Sequence, residues 1–464
     1  MKYIERLIDS QLLAWKESAS RKPLLLRGAR QVGKSCAVRH LGESFDYYIE
    51  VNFEKRPELK QLFQRTIQVR DLATNLGLLF GQPVIPGKTL LFLDEIQSSP
   101  EALKSLWFFK EDYPELHVVA AGSLLEFTLR NTSSYGVGRI RSLFMYPLSF
   151  DEFLVAQGKS AWVNAKRLAN ADQPLFEALH QELVSQFRTY LIIGGMPASV
   201  ATWIETHDYA QCQAELDDIQ LSYYDDFAKY SERVDTTLLR NTLQSVVAQT
   251  GGKFMYSKVE GGYRSEQVKG ALAMLCDAGV IKRVSHTAAN GLPLGAEVND
   301  KFRKYIYLDT GLLLRILDLN FGGVQDYVDT IITGVASELV NKGGLAEMVL
   351  GWELVKYAPS RAQHDLYYWE NTVENTTSEV DYIIAHEMKV LPIECKSGIS
   401  GKMKSLRLFM RNKNLVEAVR CSLENFTKLT LKEGADNEVY RYVTIIPLYA
   451  VSNIISSKSM TPTR

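Results

Sequence analysis

The chain has 464 residues, 46% of them hydrophobic and 23% charged, which is the composition of an ordinary globular protein. A chain of this length is too long for one hydrophobic core and suggests about three domains. The formal net charge of −1 excludes a strongly basic field over the whole molecule. The five cysteines include no C-x-x-C pair, so neither a disulfide framework nor a structural zinc site is expected.

The N-terminal stretch, MKYIERLIDSQLLAWKESASRKP, places apolar residues at helical spacing between charged ones. This pattern predicts an amphipathic helix and differs from a secretory signal, which has one continuous apolar core. The sequence contains no uninterrupted apolar segment of membrane-spanning length. We therefore expect a cytoplasmic protein without a membrane partner.

A glycine-rich stretch, RGARQVGKS at positions 27–35, follows the apolar run PLLL and matches G-x-x-x-x-G-K-[ST] at every fixed position. Glycines let the backbone curl so that its N–H groups hold phosphate oxygens. Lys34 is predicted to reach the β- and γ-phosphates of ATP, and the Ser35 hydroxyl to bind Mg²⁺. The following SCAVRHLG indicates a helix whose positive N-terminal end favours phosphate. The predicted nucleotide-binding residues are Gly28, Ala29, Arg30, Gln31, Val32, Gly33, Lys34, Ser35 and Cys36.

A second element, KTLLFLDEIQ, is a continuous apolar run that ends in Asp94 and Glu95. A run that is apolar on both faces is typical of a central parallel strand, and ligands bind beyond the carboxyl ends of such strands. Asp94 is then expected to hold the Mg²⁺ shell, and Glu95 to orient and polarise the attacking water. The alternative is a strand that merely ends in acidic turn residues.

A third apolar run, HVVAAGSLLEF, ends in small and polar residues. Ser123 stands where a strand tip would contact the γ-phosphate or the water, although a simple turn serine is the alternative. Beyond it, Arg139 and Arg141 lie in a Gly-rich stretch that we expect to be an exposed loop. An arginine such as Arg139 could stabilise transition-state charge in the site of a neighbouring subunit. A solvated or acid-paired arginine is the equally weighted alternative.

Taken in order, RGARQVGKS, LLFLDEIQ, AAGSLLEF and GRIRSLFMYPLSFDEFL resemble the motifs of an AAA+ ATPase. The resemblance is to the prokaryotic branch whose ATPase domain is joined to a C-terminal domain of long-unknown function, related to restriction endonucleases. The later LIIGGMPASV and the EVD and ECK stretches match that branch too. The resemblance implies an oligomeric, ring-forming assembly of identical chains.

The expected fold class is α/β, in four segments. Residues 1–155 are predicted to form the AAA+ P-loop domain, with a parallel sheet, because strand and helix patterns alternate there. Residues 156–235 are helical in period, as in an AAA+ lid, with GGMP as a helix break. Residues 236–318 are expected to be winged-helix-like, and residues 330–455 restriction-endonuclease-like.

The winged-helix expectation rests on three helical patterns followed by VIKRVSH and KYIYLD as strands. Such a domain can enter a DNA groove, but many serve protein contacts instead, and few basic residues are present here. The candidates for phosphate contacts are Lys269, Lys282, Arg283, Lys301, Arg303 and Lys304.

The last segment contains SEVDYIIAHEMKVLPIECKSG, with Asp381 at the end of EVD and Glu394 and Lys396 flanking a cysteine. Residues i and i+2 of a strand share a face, and a hairpin would bring Asp381 beside that pair. Two carboxylates and a lysine form a site for Mg²⁺, and the D…E-x-K pattern is similar to that of restriction-endonuclease-like nucleases. Such folds supply one more acid from a preceding helix, here Glu347 or Glu353. Alternating charged and apolar residues on a half-buried strand are the plain alternative.

Three functional hypotheses follow. The first is an ATP-driven motor or switch that acts on DNA, with the last domain cutting or gripping the strand. In the second, the ATPase switches an inactive nuclease fold that binds DNA or a protein. The third is a protein remodeller without a nucleic-acid role, which the near-neutral charge favours.

Overall fold

A computed structural model describes the chain over residues 3–65, 68–123, 138–227, 234–317, 342–371, 378–396, 403–433 and 439–456. These residues fold into two compact units. The first consists of Met1–Leu148, Asp277–Val280 and Pro359–Gln363, and the second of Ser149–Cys276, Ile281–Ala358 and His364–Arg464. The start of the fourth predicted segment, residues 330–341, and part of the Gly-rich stretch, residues 124–137, lie outside the described residues.

The first unit is built on a five-stranded parallel sheet, ordered β2-β3-β4-β1-β5. Every residue of β3 and β4 is buried, because helices cover both faces of the sheet. The predicted parallel α/β domain is confirmed. The strands are β1 (Leu24–Arg27), β2 (Tyr47–Asn52), β3 (Thr89–Asp94), β4 (His117–Ala121) and β5 (Arg141–Phe144).

Several helices accompany the sheet of the first unit. The last of them, α5, starts at Pro100, and the Ser99 hydroxyl accepts a hydrogen bond from the backbone N–H of Ala102. Its inner face packs into a core that includes Leu72 and Leu93. The helices are α1 (Asp9–Lys16), α2 (Lys34–Gly42), α3 (Lys60–Arg65), α4 (Val69–Phe80) and α5 (Pro100–Asp112).

The second unit begins with a run of helices, and the predicted break at GGMP is confirmed. Helix α8 ends at Ile193, and Gly194 takes a left-handed backbone with φ +69°. A Cβ at Gly194 would lie 2.0 Å from the Asp309 carboxylate, so only glycine fits there. The helices of this part are α6 (Phe150–Ala156), α7 (Ser160–Leu168), α8 (Glu177–Ile193), α9 (Pro197–Thr206), α10 (Tyr209–Phe227), α11 (Thr236–Ala248) and α12 (Ser265–Asp277).

One eight-stranded sheet spans the rest of the second unit, in the order β12-β13-β11-β10-β9-β8-β6-β7. The hairpin predicted for a winged helix, β6 and β7, joins this sheet because β6 pairs in parallel with β8. The strands are β6 (Ile281–Thr287), β7 (Val298–Tyr307), β8 (Leu366–Glu370), β9 (Glu379–His386), β10 (Lys389–Cys395), β11 (Glu417–Ser422), β12 (Thr427–Glu433) and β13 (Val439–Pro447). The accompanying helices are α13 (Thr310–Ile316), α14 (Lys342–Tyr357), α15 (Lys404–Asn412) and α16 (Ser452–Ser456).

None of the helices in the described parts of the chain combines the length and the apolar character needed to cross a bilayer.

Helix α14 is tied to the start of α6 by a buried carboxylate. One oxygen of Glu353 accepts a hydrogen bond from the backbone N–H of Phe150 at 3.1 Å, and the other accepts one from the Tyr190 hydroxyl at 3.0 Å. Lys356 also contacts this second oxygen, at 3.2 Å. Because Glu353 satisfies groups inside the fold, it is not the extra metal-binding acid that the sequence offered as one of two choices.

We expect Glu353→Leu to lower the free energy of unfolding by about 3–5 kcal/mol, because a buried lysine and two donors lose their partner. Urea denaturation followed by circular dichroism measures this loss. Glu182→Leu, at an exposed position of α8, is the control and should change stability little. An equal effect of both substitutions would contradict the role given to Glu353.

Candidate functional site

The glycine-rich loop runs from the end of β1 to the first turn of α2. Its backbone enters left-handed conformations at Gln31 and Gly33, with φ of +61° and +96°. Gly28 lies close to Met145, the residue that follows β5. A Cβ on residue 28 would be 2.1 Å from the Met145 carbonyl oxygen. The loop therefore needs glycine at position 28 for packing as well as for curvature.

The side chains of the loop differ in exposure. Ala29 and Val32 are buried, Arg30 is half-buried, and Gln31 and Cys36 are exposed. The buried pair anchors the loop on the sheet, which leaves the backbone of the loop to form the binding surface.

Lys34 is the first residue of α2 and only 8% exposed. Its ammonium donates hydrogen bonds to the carbonyl oxygens of Gly28, at 3.0 Å, and Ala29, at 2.7 Å. Burial lowers the pKa of Lys34 to about 8, although the nearby carboxylates of Glu95 and Asp94 oppose this shift. The loop carbonyl oxygens thus hold the Lys34 ammonium group in a position where it would attract a negatively charged phosphate group.

Ser35 and Asp94 come together as predicted. The Ser35 hydroxyl lies 3.0 and 3.1 Å from the two carboxylate oxygens of Asp94. The Asn52 side-chain amide donates to the same carboxylate at 2.9 Å, because β2 and β3 pair in register with Asn52 opposite Asp94. Burial raises the pKa of Asp94. Asn52 was not predicted, although its position at the end of a strand was visible in the sequence.

Glu95 follows Asp94 in a strained backbone conformation. Its φ of +52° is uncommon for a residue other than glycine, and such strain often marks functional positions. The Gln97 side-chain amide donates to the Glu95 carboxylate at 2.6 Å. Burial raises the pKa of Glu95, which makes its carboxylate a stronger base than an exposed one.

Ser123 and Arg139, also predicted for this site, have different surroundings. Ser123 is buried and follows the end of β4, which pairs with β1 through Ala121 and Leu26. It therefore lies at the edge of the sheet from which the loop emerges. Arg139 is exposed and forms an ion pair with Glu111 at 2.5 Å. Its role in a neighbouring subunit stays a prediction.

Arg6 is a loop contact that sequence reasoning missed. This buried guanidinium donates to the Val32 carbonyl oxygen at 2.8 Å and to the Tyr146 carbonyl oxygen at 2.6 Å. It links the N-terminal segment, the loop and the segment after β5, which lie far apart in sequence.

A second group of charged residues lies in the second unit. Ligand atoms of Glu347, Glu379 and Asp381 lie within 4.8 Å of one another, and we call these three residues the acid cluster. The predicted hairpin exists, since β9 and β10 are antiparallel with Tyr382 opposite Ile393. Glu347 and Asp381 were predicted together, whereas Glu379 was not, although it shares a strand face with Asp381.

Glu394 and Lys396, the other predicted residues, form an ion pair with each other at 2.5 Å. The backbone N–H between them, of Cys395, donates to the Asp381 carboxylate at 2.6 Å. The second carboxylate oxygen of Glu394 is buried and has no hydrogen-bond partner among the described residues. Asp381 is thus fixed to β10, next to a carboxylate that is paired with a lysine.

Lys304, a candidate for phosphate contact in the sequence, occupies the acid cluster instead. It is 1% exposed and lies 2.8 Å from Glu347, and it also pairs with Glu379. Burial raises the pKa of Glu347 to about 8 and that of Asp381 to about 6, although Lys304 opposes both shifts. Lys304 is therefore out of reach of a nucleic-acid backbone, whereas Arg283 and Lys301 are exposed.

Comparison with known families agrees with the loop geometry. A family model described as an AAA domain matches residues 20–154. This segment is therefore similar to AAA domains. Two models described as domains of unknown function match later parts of the chain, DUF8612 over residues 184–321 and DUF4143 over residues 342–451. No curated protein matches the chain.

Solved structures with some similarity share little sequence with the chain. The Walker-type ATPase PABY2304 of Pyrococcus abyssi is 15% identical over 68% of this chain and 96% of that one, with a TM-score of 0.43. The Aeropyrum pernix ORC1 protein in complex with DNA is 12% identical over 68% and 93%, with a TM-score of 0.30. The Thermotoga maritima RuvB Holliday junction branch migration motor is 15% identical over 63% and 91%, with a TM-score of 0.29.

We expect Arg6→Met to weaken ATP binding several-fold and to lower the free energy of unfolding by about 1.5–3 kcal/mol, because two hydrogen bonds from a charged group are lost. Isothermal titration calorimetry with a non-hydrolysable ATP analogue measures the affinity. Arg70→Met, at an exposed surface ion pair with Glu115, is the control. Unchanged affinity in Arg6→Met would show that the loop holds its shape without this contact.

Proposed function

We propose that the AAA domain binds ATP together with Mg²⁺ and hydrolyses the γ-phosphate bond. The observation that carries this proposal is the position of the Ser35 hydroxyl, 3.0 Å from the Asp94 carboxylate, directly after Lys34. A hydroxyl, a carboxylate and a lysine at one edge of a parallel sheet are the groups that nucleotide phosphates and Mg²⁺ require.

The donor set fits Mg²⁺, because a serine hydroxyl and an aspartate carboxylate are hard oxygen ligands. Ser35 and Asp94 would hold the ion, which when bound neutralises charge on the phosphates. Lys34 contacts the β- and γ-phosphates, and Glu95 orients and activates the attacking water. Ser123 contacts the γ-phosphate or the water.

The loop backbone from Gly28 to Cys36 surrounds the phosphates in this proposal. Arg139 completes the site of a neighbouring subunit in an oligomer of identical chains. Its ion pair with Glu111 would then exchange for a contact with the neighbour's nucleotide.

The purpose of ATP hydrolysis is to switch the later parts of the chain. We favour an ATP-driven switch in which the last domain acts on or binds DNA, with a protein partner as the alternative. The exposed basic residues near β6 and β7, such as Arg283 and Lys301, are the groups that would contact a phosphate backbone.

A second candidate function is Mg²⁺-dependent cleavage of nucleic acid by the last domain, in a state in which Lys304 has left the acid cluster. It is favoured by the acid cluster of Glu347, Glu379 and Asp381, and by the pairing of β9 with β10, the strand that carries Glu394 and leads to Lys396. Lysine and carboxylates in such a group can hold Mg²⁺ and stabilise developing charge.

We expect Lys34→Ala to abolish nucleotide binding, and Glu95→Gln to bind ATP with turnover reduced by at least about 100-fold, since the base that activates water is lost. Phosphate release with Mg²⁺, with and without single- or double-stranded DNA, measures turnover. Glu58→Gln, exposed beside Arg56, is the matched control. Normal turnover in both site variants would refute the assignment.

The same assay separates the possible partners. Strong stimulation by either form of DNA identifies nucleic acid as the partner. Turnover that is indifferent to DNA favours a protein partner and the remodeller hypothesis.

For the second candidate function, Asp381→Asn and Lys396→Ala should each abolish any cleavage of labelled DNA, because both contribute to the proposed site. Lys389→Ala, at an exposed position of the neighbouring strand β10, is the control and should leave cleavage intact. Cleavage that persists in both site variants would locate the activity elsewhere or in a contaminant.

A further inference from the structure

The ammonium group of Lys304 is coordinated much as a bound cation would be. Glu347 accepts one of its protons at 2.8 Å, Glu379 accepts a second, and the Gly251 carbonyl oxygen lies 3.4 Å away. The ring of Tyr368 covers another side, with its centroid 5.0 Å from the ammonium nitrogen. All three N–H donors of Lys304 therefore have acceptors, and the side chain is almost wholly removed from solvent.

The turn that supplies the carbonyl is built to approach the acid cluster closely. Gly251 and Gly344 pack backbone to backbone, so that a Cβ at Gly251 would lie 2.5 Å from the Cα of Gly344 and 3.6 Å from a Glu347 oxygen. Only glycines allow this contact between the end of α11 and the start of α14. The acceptors around the ammonium therefore come from the turn at Gly251, from α14 and from β9, while Lys304 itself lies on β7.

We propose that the acid cluster is a cation site whose occupant is the chain's own Lys304 ammonium, and that Lys304 keeps divalent metal ions out of it. The structure therefore disagrees with the Mg²⁺ site that the resemblance to nucleases implies. The proposal goes beyond ATP hydrolysis and does not depend on it.

Electrostatics supports this exclusion. A divalent ion on Glu347 and Glu379 would have to share their oxygens with an ammonium that lies 2.8 Å from one of them and in contact with the other. Like charges at such a separation in a buried setting repel strongly. The backbone of Lys304 is held in the sheet, because β7 pairs with β6 and places Lys304 opposite Val284.

Glu394 does not belong to the acid cluster, and one of its carboxylate oxygens is paired with Lys396. Two lysines, Lys304 on β7 and Lys396 after β10, therefore offset part of the negative charge of the described acids near Asp381. Removal of the Lys304 side chain would therefore allow a metal ion to bind in the acid cluster.

The test is Mn²⁺ binding to the full chain in the absence of nucleotide, measured by electron paramagnetic resonance. Wild type, Lys304→Met, and Lys304→Met combined with Asp381→Asn are compared. Since Ser35 and Asp94 of the first unit also offer oxygen ligands to Mn²⁺, only binding that Asp381→Asn removes is assigned to the acid cluster. Lys301→Met, exposed on the same strand, is the matched control.

The expected result is Asp381-dependent Mn²⁺ binding in Lys304→Met, at least roughly tenfold tighter than in wild type or Lys301→Met, since the competing charge is gone. Wild type that binds Mn²⁺ through Asp381 as tightly as Lys304→Met would overturn the proposal. So would folded Lys304→Met that binds no additional Mn²⁺.

Lys304→Met leaves two carboxylates without their cation and could fold poorly. A double variant, Lys304→Met with Glu379→Gln, removes one positive and one negative charge and keeps the balance. Its melting temperature should rise with added Mn²⁺ by more than that of wild type, and adding Asp381→Asn should remove the extra rise. No Mn²⁺-induced rise in the folded double variant, or an equal rise in wild type, counts against the proposal.

Discussion

The parallel pairing of β1, β3 and β4 is the constraint on which the first unit depends. Parallel strands end at the same edge of a sheet, so the loop after β1 and the acids after β3 must meet there. Because Asn52 of β2 pairs opposite Asp94 of β3, a third polar group lies at this edge of the sheet. Because backbone hydrogen bonds set these positions, the site is arranged before any ligand arrives. Preorganisation of this kind reduces the cost of ordering side chains upon binding.

Buried charges stabilise the second unit in a different way. Lys166 is fully buried, pairs with Asp151 and donates to the Ser452 hydroxyl at 2.9 Å. Glu353 and Lys304 have the same character, since each joins segments that are far apart in sequence. Such pairs contribute little net stability compared with apolar packing, but an incorrect arrangement leaves a charge without a partner. They therefore specify which helix and which strand come together.

The sequence predicted what is local and missed what depends on distant partners. The glycine-rich loop could be predicted from the fixed spacing of its residues. The strands, and Asp94 at the end of one of them, could be predicted from short runs that are apolar on both faces. Arg6 and Lys304 were not, since their partners lie 26 residues away for Arg6, and 43 and 75 residues away for Lys304. Lys304 stands in a strand where polar and apolar residues alternate, a pattern that predicts an exposed side chain. Only the fold shows that Lys304 is buried. Glu379 was recoverable from its spacing to Asp381, which places both on one face.

The close packing of Gly28 affects how the sequences of related chains should be compared. Its lack of a side chain is required by the Met145 carbonyl, a contact within the protein that exists whether or not nucleotide is bound. A descendant that had lost ATP binding would still be under selection to keep this glycine. Lys34 and Ser35 are under no such packing requirement from Met145. Among divergent relatives, retention of Lys34 and Ser35 is therefore the better indication that nucleotide chemistry is kept. Retention of Gly28 indicates only that the fold is kept.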